Sequence, residues 1–222
     1  GCDAMISSDC IEHIYDIDAF LLSHRDIPGD RLAVAHSSGA NTRNPRISRR
    51  LRRYQVQREY EGFLVKDGCK PTELSQPYFE VRKQIIKEYA SDWDNDILDK
   101  LARNTRGLRQ DDIVRALEQY KTSGVLPDPP KDPTNTCDPL NGNWAERLLD
   151  FALICKRFSE AGFAARILPG YYGGTTPVRR VITPMLNAVM RVAGPAAIYL
   201  GHFFTLYGER IPSAKKSSHG LA

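Results

Sequence analysis

The chain has 222 residues, 41% of them hydrophobic and 26% charged, a composition that excludes a wholly disordered polymer. Its net charge of +4 is too mild for a dedicated nucleic-acid binder. The five cysteines, Cys2, Cys10, Cys69, Cys137 and Cys155, form no Cys-x-x-Cys pair and have no histidine at zinc-finger spacing, which argues against a structural zinc site and for a reducing compartment.

In chain order, Ile11, Ile14, Ile17, Leu21 and Leu22 recur at helical spacing and predict a short amphipathic helix. The Gly, Ser, Asn and Pro-rich stretch from Asp26 to Asn44 reads as linker. Pro45 suits the first turn of a helix expected to run to Lys66, with Gly68 as its stop. Arg43, Arg46, Arg49, Arg50, Arg52 and Arg53 make its start strongly basic. Such a run reads as a solvated face, or a docking surface for an acidic partner, ahead of a grip on RNA phosphates or anionic lipid.

After Pro77 the helical pattern is most regular. Tyr78, Val81, Ile85 and Tyr89 form one stripe, and Ile97, Leu98 and Leu101 begin a second helix. Asp111 and Asp112 favour the start of a third, which carries Ile113, Leu117 and Tyr120 and stops at Gly124. Five prolines between Leu126 and Asn143 forbid helix or central strand there. A core helix is expected from the N-cap Asn143 to Ala161, burying Trp144 and Cys155 on one face. A short turn over Phe163 to Leu168, a flexible link through Gly170, Gly173 and Gly174, and a last helix capped by Thr183 with Pro184 at its first position complete the reading. No strand is predicted.

The stretch from Met185 to Tyr207 is apolar, but Arg191, Pro195 and His202 interrupt it. A charge at the centre of a bilayer costs about 2.5 to 3.5 kcal/mol, so a buried pair of short helices is expected rather than a span. Signatures of chemistry are lacking: there is no G-x-S-x-G elbow, P-loop, H-E-x-x-H or G-x-G-x-x-G after a strand. Asp92, Asp94 and Asp96 resemble the opening of a calcium loop, yet Ile97 stands where its glycine is required. The histidines, His13, His24, His36, His202 and His219, look dispersed. The expectation is therefore no catalytic residue, no metal ligand and no cofactor.

Several segments resemble cytochrome c oxidase subunit Va, called subunit VI in yeasts. They are Leu126-Pro127-Asp128-Pro129, Ala152-Leu153-Ile154-Cys155-Lys156-Arg157-Phe158, Phe163-Ala164-Ala165-Arg166-Ile167-Leu168 and Thr183-Pro184-Met185-Leu186-Asn187, over roughly residues 80 to 205. The resemblance implies an all-α fold of antiparallel helical hairpins in a superhelical, tetratricopeptide-like arrangement. The domain limits that follow are an N-terminal helical extension at 1–76, the helical domain at 77–207 and a tail at 208–222. It also implies a non-catalytic accessory subunit on the matrix side of the mitochondrial inner membrane, peripheral to the lipid and supporting electron transport. Its partners would be other subunits of cytochrome c oxidase, especially subunit IV and the matrix face of the catalytic core, with no nucleic acid. Arg46, Arg49, Arg50 and Arg53 on the basic helix, with Arg157 and Arg166 in the matched segments, are the expected partner-binding residues. The alternatives are an organellar RNA-binding or ribosomal protein that uses the Arg43–Arg53 cluster, and an accessory subunit of another inner-membrane complex such as ATP synthase.

Overall fold

A computed structural model describes residues 3–67, 70–173 and 176–212. Gly68, Gly174, Cys2, Cys69, His219 and most of the expected tail lie outside them. The chain folds into two compact units: 1–11, 16–39 and 150–222 form the first, and 12–15 with 40–149 the second. This is not the expected division at 76 and 207.

The all-α expectation is overturned by the first unit, which is built on a four-stranded sheet. Its elements are β1 (Ala4–Ser8), α1 (Ile17–Ser23), β2 (Ala33–Ser38), α6 (Phe151–Glu160), β5 (Phe163–Pro169), α7 (Pro177–Ala193) and β6 (Phe204–Arg210). The strand order is β1-β2-β6-β5. β2 runs parallel to β1, β6 antiparallel to β2, and β5 antiparallel to β6. So β1, β2 and β5 point one way and β6 alone is reversed.

The crossover from β1 through α1 to β2 is a βαβ unit, the connection a parallel pair requires. Asp16 caps α1 by accepting the amide of Ala19 at 2.8 Å. The stretch read as linker therefore contains β2, with Val34, His36 and Ser38 buried and their neighbours half open. The turn expected at Phe163 is β5: Gly162, at φ +92°, releases the chain from α6 into a strand whose Ala165 and Ile167 sit opposite Gly208 and Leu206. Short apolar runs fit helix and strand alike, and here tertiary pairing decides. α1 and α6 cover one sheet face, placing Phe20 and Phe158 against the His36 ring. On the other face Ile6 and Arg166 stand open to solvent.

The second unit keeps the helices read after Pro77: α3 (Tyr78–Tyr89), α4 (Asn95–Asn104) and α5 (Gln110–Ser123). Asp94 caps α4, and Gly124, left-handed at φ 68°, ends α5. Ile86, Leu98, Leu101, Ile113 and Leu117 form its core. Fully burying such a side chain contributes about 1.5 to 3 kcal/mol. The basic helix α2 (Pro45–Tyr60), capped by Asn44, stops short of Lys66 because Gly62 turns the chain at φ +76° into a hairpin of β3 (Phe63–Asp67) and β4 (Lys70–Ser75).

Two other expected helices change extent. α6 starts at the cap Asp150 and not at Asn143, so Trp144 and Cys155 do not share a helix; Trp144 makes an isolated bridge to Cys137, and Cys155 is only half-buried. α7 begins at the cap Thr176, which leaves Pro184 inside it. The expected buried pair of short helices is absent too: α7 is exposed along most of its length and leads, through a 3-10 turn at Gly194–Tyr199, into β6.

Candidate functional site

Three parallel strands deliver their carboxyl ends to one edge of the sheet, the place where open α/β sheets bind ligands. In the first unit that edge holds a cleft of about 450 Å³ lined by Ser8, Ser37, Leu168, Tyr171, Phe203 and Thr205. Two features shape it. Gly170 donates its amide to the carbonyl of Phe203 at 2.9 Å, and a Cβ there would fall 2.5 Å from that residue's side chain, so only glycine fits. Asp9, just past β1, adopts φ 47°, unusual for a residue with a side chain. Its amide donates to Ser37 O at 2.8 Å, and its Oδ1 accepts the amide of Gly39 at 3.2 Å. A carboxylate is thereby fixed at the edge where the strands end.

Behind the edge runs a buried relay. His24 Nδ1 lies 2.9 Å from the Phe20 carbonyl, His36 Nε2 lies 3.0 Å from His24 Nε2, and Ser7 Oγ lies 2.7 Å from His36 Nδ1. Burial pushes the His36 pKa down to about 4, helped by the neighbouring His24, and burial lowers His24 as well. Both rings are therefore neutral at pH 7, and the bonds fix their tautomers. A carbonyl only accepts, so His24 carries its proton on Nδ1; its Nε2 accepts from His36 Nε2–H, and His36 Nδ1 accepts from the Ser7 hydroxyl. Phe20, Phe158 and Phe163 pack around the His24 ring. Both rings are buried, and the relay ends on the Ser7 hydroxyl.

The second unit holds a different group. Glu12, His13 and Glu146 each bring a ligand atom to within 4.8 Å of the others. His13 Nδ1 is hydrogen-bonded to Trp144 O at 2.8 Å, which leaves Nε2 as the coordinating nitrogen. Arg147 N donates to Glu12 O at 3.1 Å, and Gln55 Nε2 donates to Glu146 O at 2.7 Å, so the backbone carrying the group is held on both sides. Two carboxylates and an imidazole suit a divalent cation such as Mn²⁺ or Zn²⁺.

The six expected partner-binding arginines are divided between the two units. Arg46, Arg49, Arg50 and Arg53 are exposed along α2, where Arg49 and Arg53 line an open groove with Arg43 and Arg52, and Arg52 faces Asp132 at 3.5 Å. Arg157 and Arg166 belong to the first unit: Arg157 pairs with Asp18 at 3.3 Å and Glu160 at 2.9 Å, and Arg166 lies over Tyr207 near Glu209. Sequence reasoning missed Asp9, the histidine pair and the Glu12–His13 donors. One signal was available. Pro28-Gly29 followed by the alternating Val34, His36 and Ser38 marks a turn and a half-buried strand, which puts Ser8 and Asp9 at the end of a parallel partner.

No family model, curated protein or solved structure matches the chain.

Proposed function

We propose that this chain belongs to an α/β enzyme that binds a nucleoside-type cofactor, and that its reaction is methyl transfer from S-adenosylmethionine to an acceptor seated at the carboxyl edge of β1, β2 and β5. The observation that carries the reading is the position of β6. Parallel strands closed by one antiparallel strand, inserted before the last parallel one, are how the sheets of S-adenosylmethionine-dependent methyltransferases end. A fold alone hosts many activities, and the residues at this edge supply the chemistry.

β1 supports it further. A parallel strand is ordinarily covered on both faces, yet β1 is an edge strand with Ile6 80% exposed. Helices that cover this face and strands that extend this edge would carry the cofactor. The cleft at the end of β1, β2 and β5 is then left to the acceptor, and its size is that of a small-molecule site.

When bound, the cofactor would supply an electrophilic methyl group to the lone pair of the acceptor, its sulfur being the leaving group. This chain's residues orient the acceptor and take its proton. Asp9, held by the Gly39 amide, is the base at the edge; Ser8, Ser37 and Thr205 offer hydroxyls; Tyr171 and Phe203 wall the cleft. In the second unit Glu12, His13 and Glu146 would hold a divalent cation.

The accessory-subunit role implied by the resemblance presumed an all-α fold. That fold is not the one found: Arg166-Ile167-Leu168 lies in the edge strand β5, and Phe158 of α6 stacks on Phe163 of the same strand.

The test is transfer of label from methyl-tritiated S-adenosylmethionine to hydroxyl and amine acceptors by the protein. Asp9→Asn should lower turnover by about 10²- to 10⁴-fold without lowering the melting temperature. A protein that neither binds the cofactor nor labels any acceptor would sink the reading.

A further inference from the structure

α7 is built inside out. Val178, Val181, Met185, Val189 and Val192 recur at steps of 3, 4, 4 and 3, which places them on one side of the helix. That side faces solvent: Val181 is 70% exposed, Met185 69% and Val192 91%. The opposite side carries Thr183, Asn187 and Met190, and it is the side turned to the protein, with Met190 the buried residue of the helix. Asn187 anchors it, Oδ1 accepting the Tyr172 amide at 2.8 Å and Nδ2 donating to the Tyr172 carbonyl at 3.0 Å. A soluble helix buries its apolar stripe; this one presents it.

The charge around the stripe is of one sign. Between Ala161 and Gly208 there is no Asp or Glu, while Arg166, Arg179, Arg180 and Arg191 are all present. On the helix Arg179 borders one margin of the stripe, and Arg180 and Arg191 lie beyond the other. Apolar residues between basic flanks fit a surface that is apolar below and anionic at its rim.

We propose that α7 is a monotopic membrane anchor that lies in the headgroup layer of an anionic bilayer, its valine and methionine stripe among the upper acyl carbons and Arg179, Arg180 and Arg191 at the phosphates. With the 3-10 turn that follows it, the helix makes a stretch of 23 residues, Pro177–Tyr199, long and apolar enough to cross a membrane; crossing is disfavoured by Arg191, which would carry a charge into the hydrocarbon core. It is disfavoured again by the polar face, which stays tied to the domain through Asn187 and Tyr172. Anchoring does not depend on the methyl-transfer reading; it would bring the cleft, whose wall includes Tyr171, to a lipid surface.

Vesicle sedimentation with the whole chain tests it. Vesicles with about 30% phosphatidylserine should bind the protein at least about 10-fold more tightly than pure phosphatidylcholine, and high salt should remove most of the difference. Val181→Asp with Met185→Asp should abolish binding while circular dichroism and melting stay unchanged, because both side chains are exposed. Arg180→Gln with Arg191→Gln should remove the preference for anionic lipid and leave weak binding to both vesicles. Three results would overturn the proposal: equal binding to the two vesicles by the unaltered protein; no vesicle binding, with a dimer in sedimentation that Val181→Asp dissociates, making a second copy the partner of the face; or resistance to carbonate extraction from membranes, making the helix a span.

Discussion

The guanidinium of Arg82 and the carboxylate of Glu59 are paired with neither side chain accessible to water. Most of the pair's polar atoms are met, Arg82 Nη1 being the exception. Thr136 Oγ1 donates to Glu59 Oε2 at 2.6 Å, Arg82 Nε donates to Ala102 O at 2.9 Å, and Arg106 Nε stands 3.8 Å from Glu59 Oε2. It links α2 to α3 in the second unit. Removing one partner strands a buried charge, so Glu59→Ala should lower the stability of this unit by about 3 to 5 kcal/mol. Both tryptophans, Trp93 and Trp144, lie in this unit, so urea unfolding followed by their fluorescence reports on it. An unchanged midpoint would mean the pair is structurally idle.

The first unit should lose stability in mild acid. His36 titrates near 6.5 in an unfolded chain and about 4 when folded, because burial and then His24 disfavour its charged form. The unfolded state therefore binds more protons below pH 6.5. The stabilisation is whole above that pH, declines as pH falls to about 4, and amounts to about 3 kcal/mol for His36 alone. His24 is shifted the same way, by burial first, and adds to the same slope. Protection of the β2 and β6 amides in hydrogen exchange, measured between pH 7 and pH 4.5, should fall accordingly and fall less in His36→Gln. A flat profile would rule out the buried neutral relay.

How much of this was legible differs between the two units. The helices from Tyr78 to Ser123 show in the sequence because their apolar residues keep a 3.6-residue rhythm over whole turns and their ends carry Asp94, Asp111 and Gly124. The strands do not. β1, Ala4–Ser8, has two sizeable apolar residues, one of which is exposed, and β5 reads Phe-Ala-Ala-Arg-Ile-Leu-Pro, as good a pattern for a helical turn as for a strand. What makes them strands is pairing with β2 and β6, partners as far as 47 residues away in the chain at Phe163 and Arg210. The candidate sites were hidden for the same reason: His24 and His36 meet only through the crossover, and Glu146 reaches Glu12 and His13 only through the fold. The fold implied by the resemblance was overturned because the matched pieces are short apolar runs, which carry no record of tertiary pairing.

Glu12, His13 and Glu146 should bind a divalent cation in the second unit. Calorimetric titration of the chelator-treated protein with Mn²⁺ and with Zn²⁺ should give one site at pH 7.5, weaker in acid because protons compete with the metal for its ligands. Glu146→Gln removes one anionic ligand and should reduce affinity by at least about 10-fold while leaving tryptophan-monitored unfolding of the metal-free protein unchanged. Binding of neither ion, or binding indifferent to this substitution, would leave the three side chains as a chance juxtaposition.

Gly208 should tolerate no side chain, for want of space alone. It lies on β6 opposite Val34 and Ala165, and a Cβ there would stand 2.6 Å from Phe158 Cε1 and 3.1 Å from Phe163 Cβ. Those rings are stacked with centroids 4.6 Å apart, and each also meets the His24 ring edge-on, at 5.3 Å for Phe158 and 6.4 Å for Phe163. Neither ring can retreat without moving the other or the histidine. Gly208→Ala should therefore destabilise the first unit by about 1 to 3 kcal/mol, the range for overpacking a filled core. It should also disturb the histidine relay: the imidazole proton resonances of His24 and His36 should shift, and the loss of stability in acid should be smaller and end above pH 4, because water reaching the rings raises the His36 pKa toward its ordinary value. Gly173→Ala is the control, because nothing lies within 4 Å of a Cβ at that position. Equal stability of the two variants, with unmoved imidazole resonances, would show that the stacked phenylalanines do not hold the relay in place.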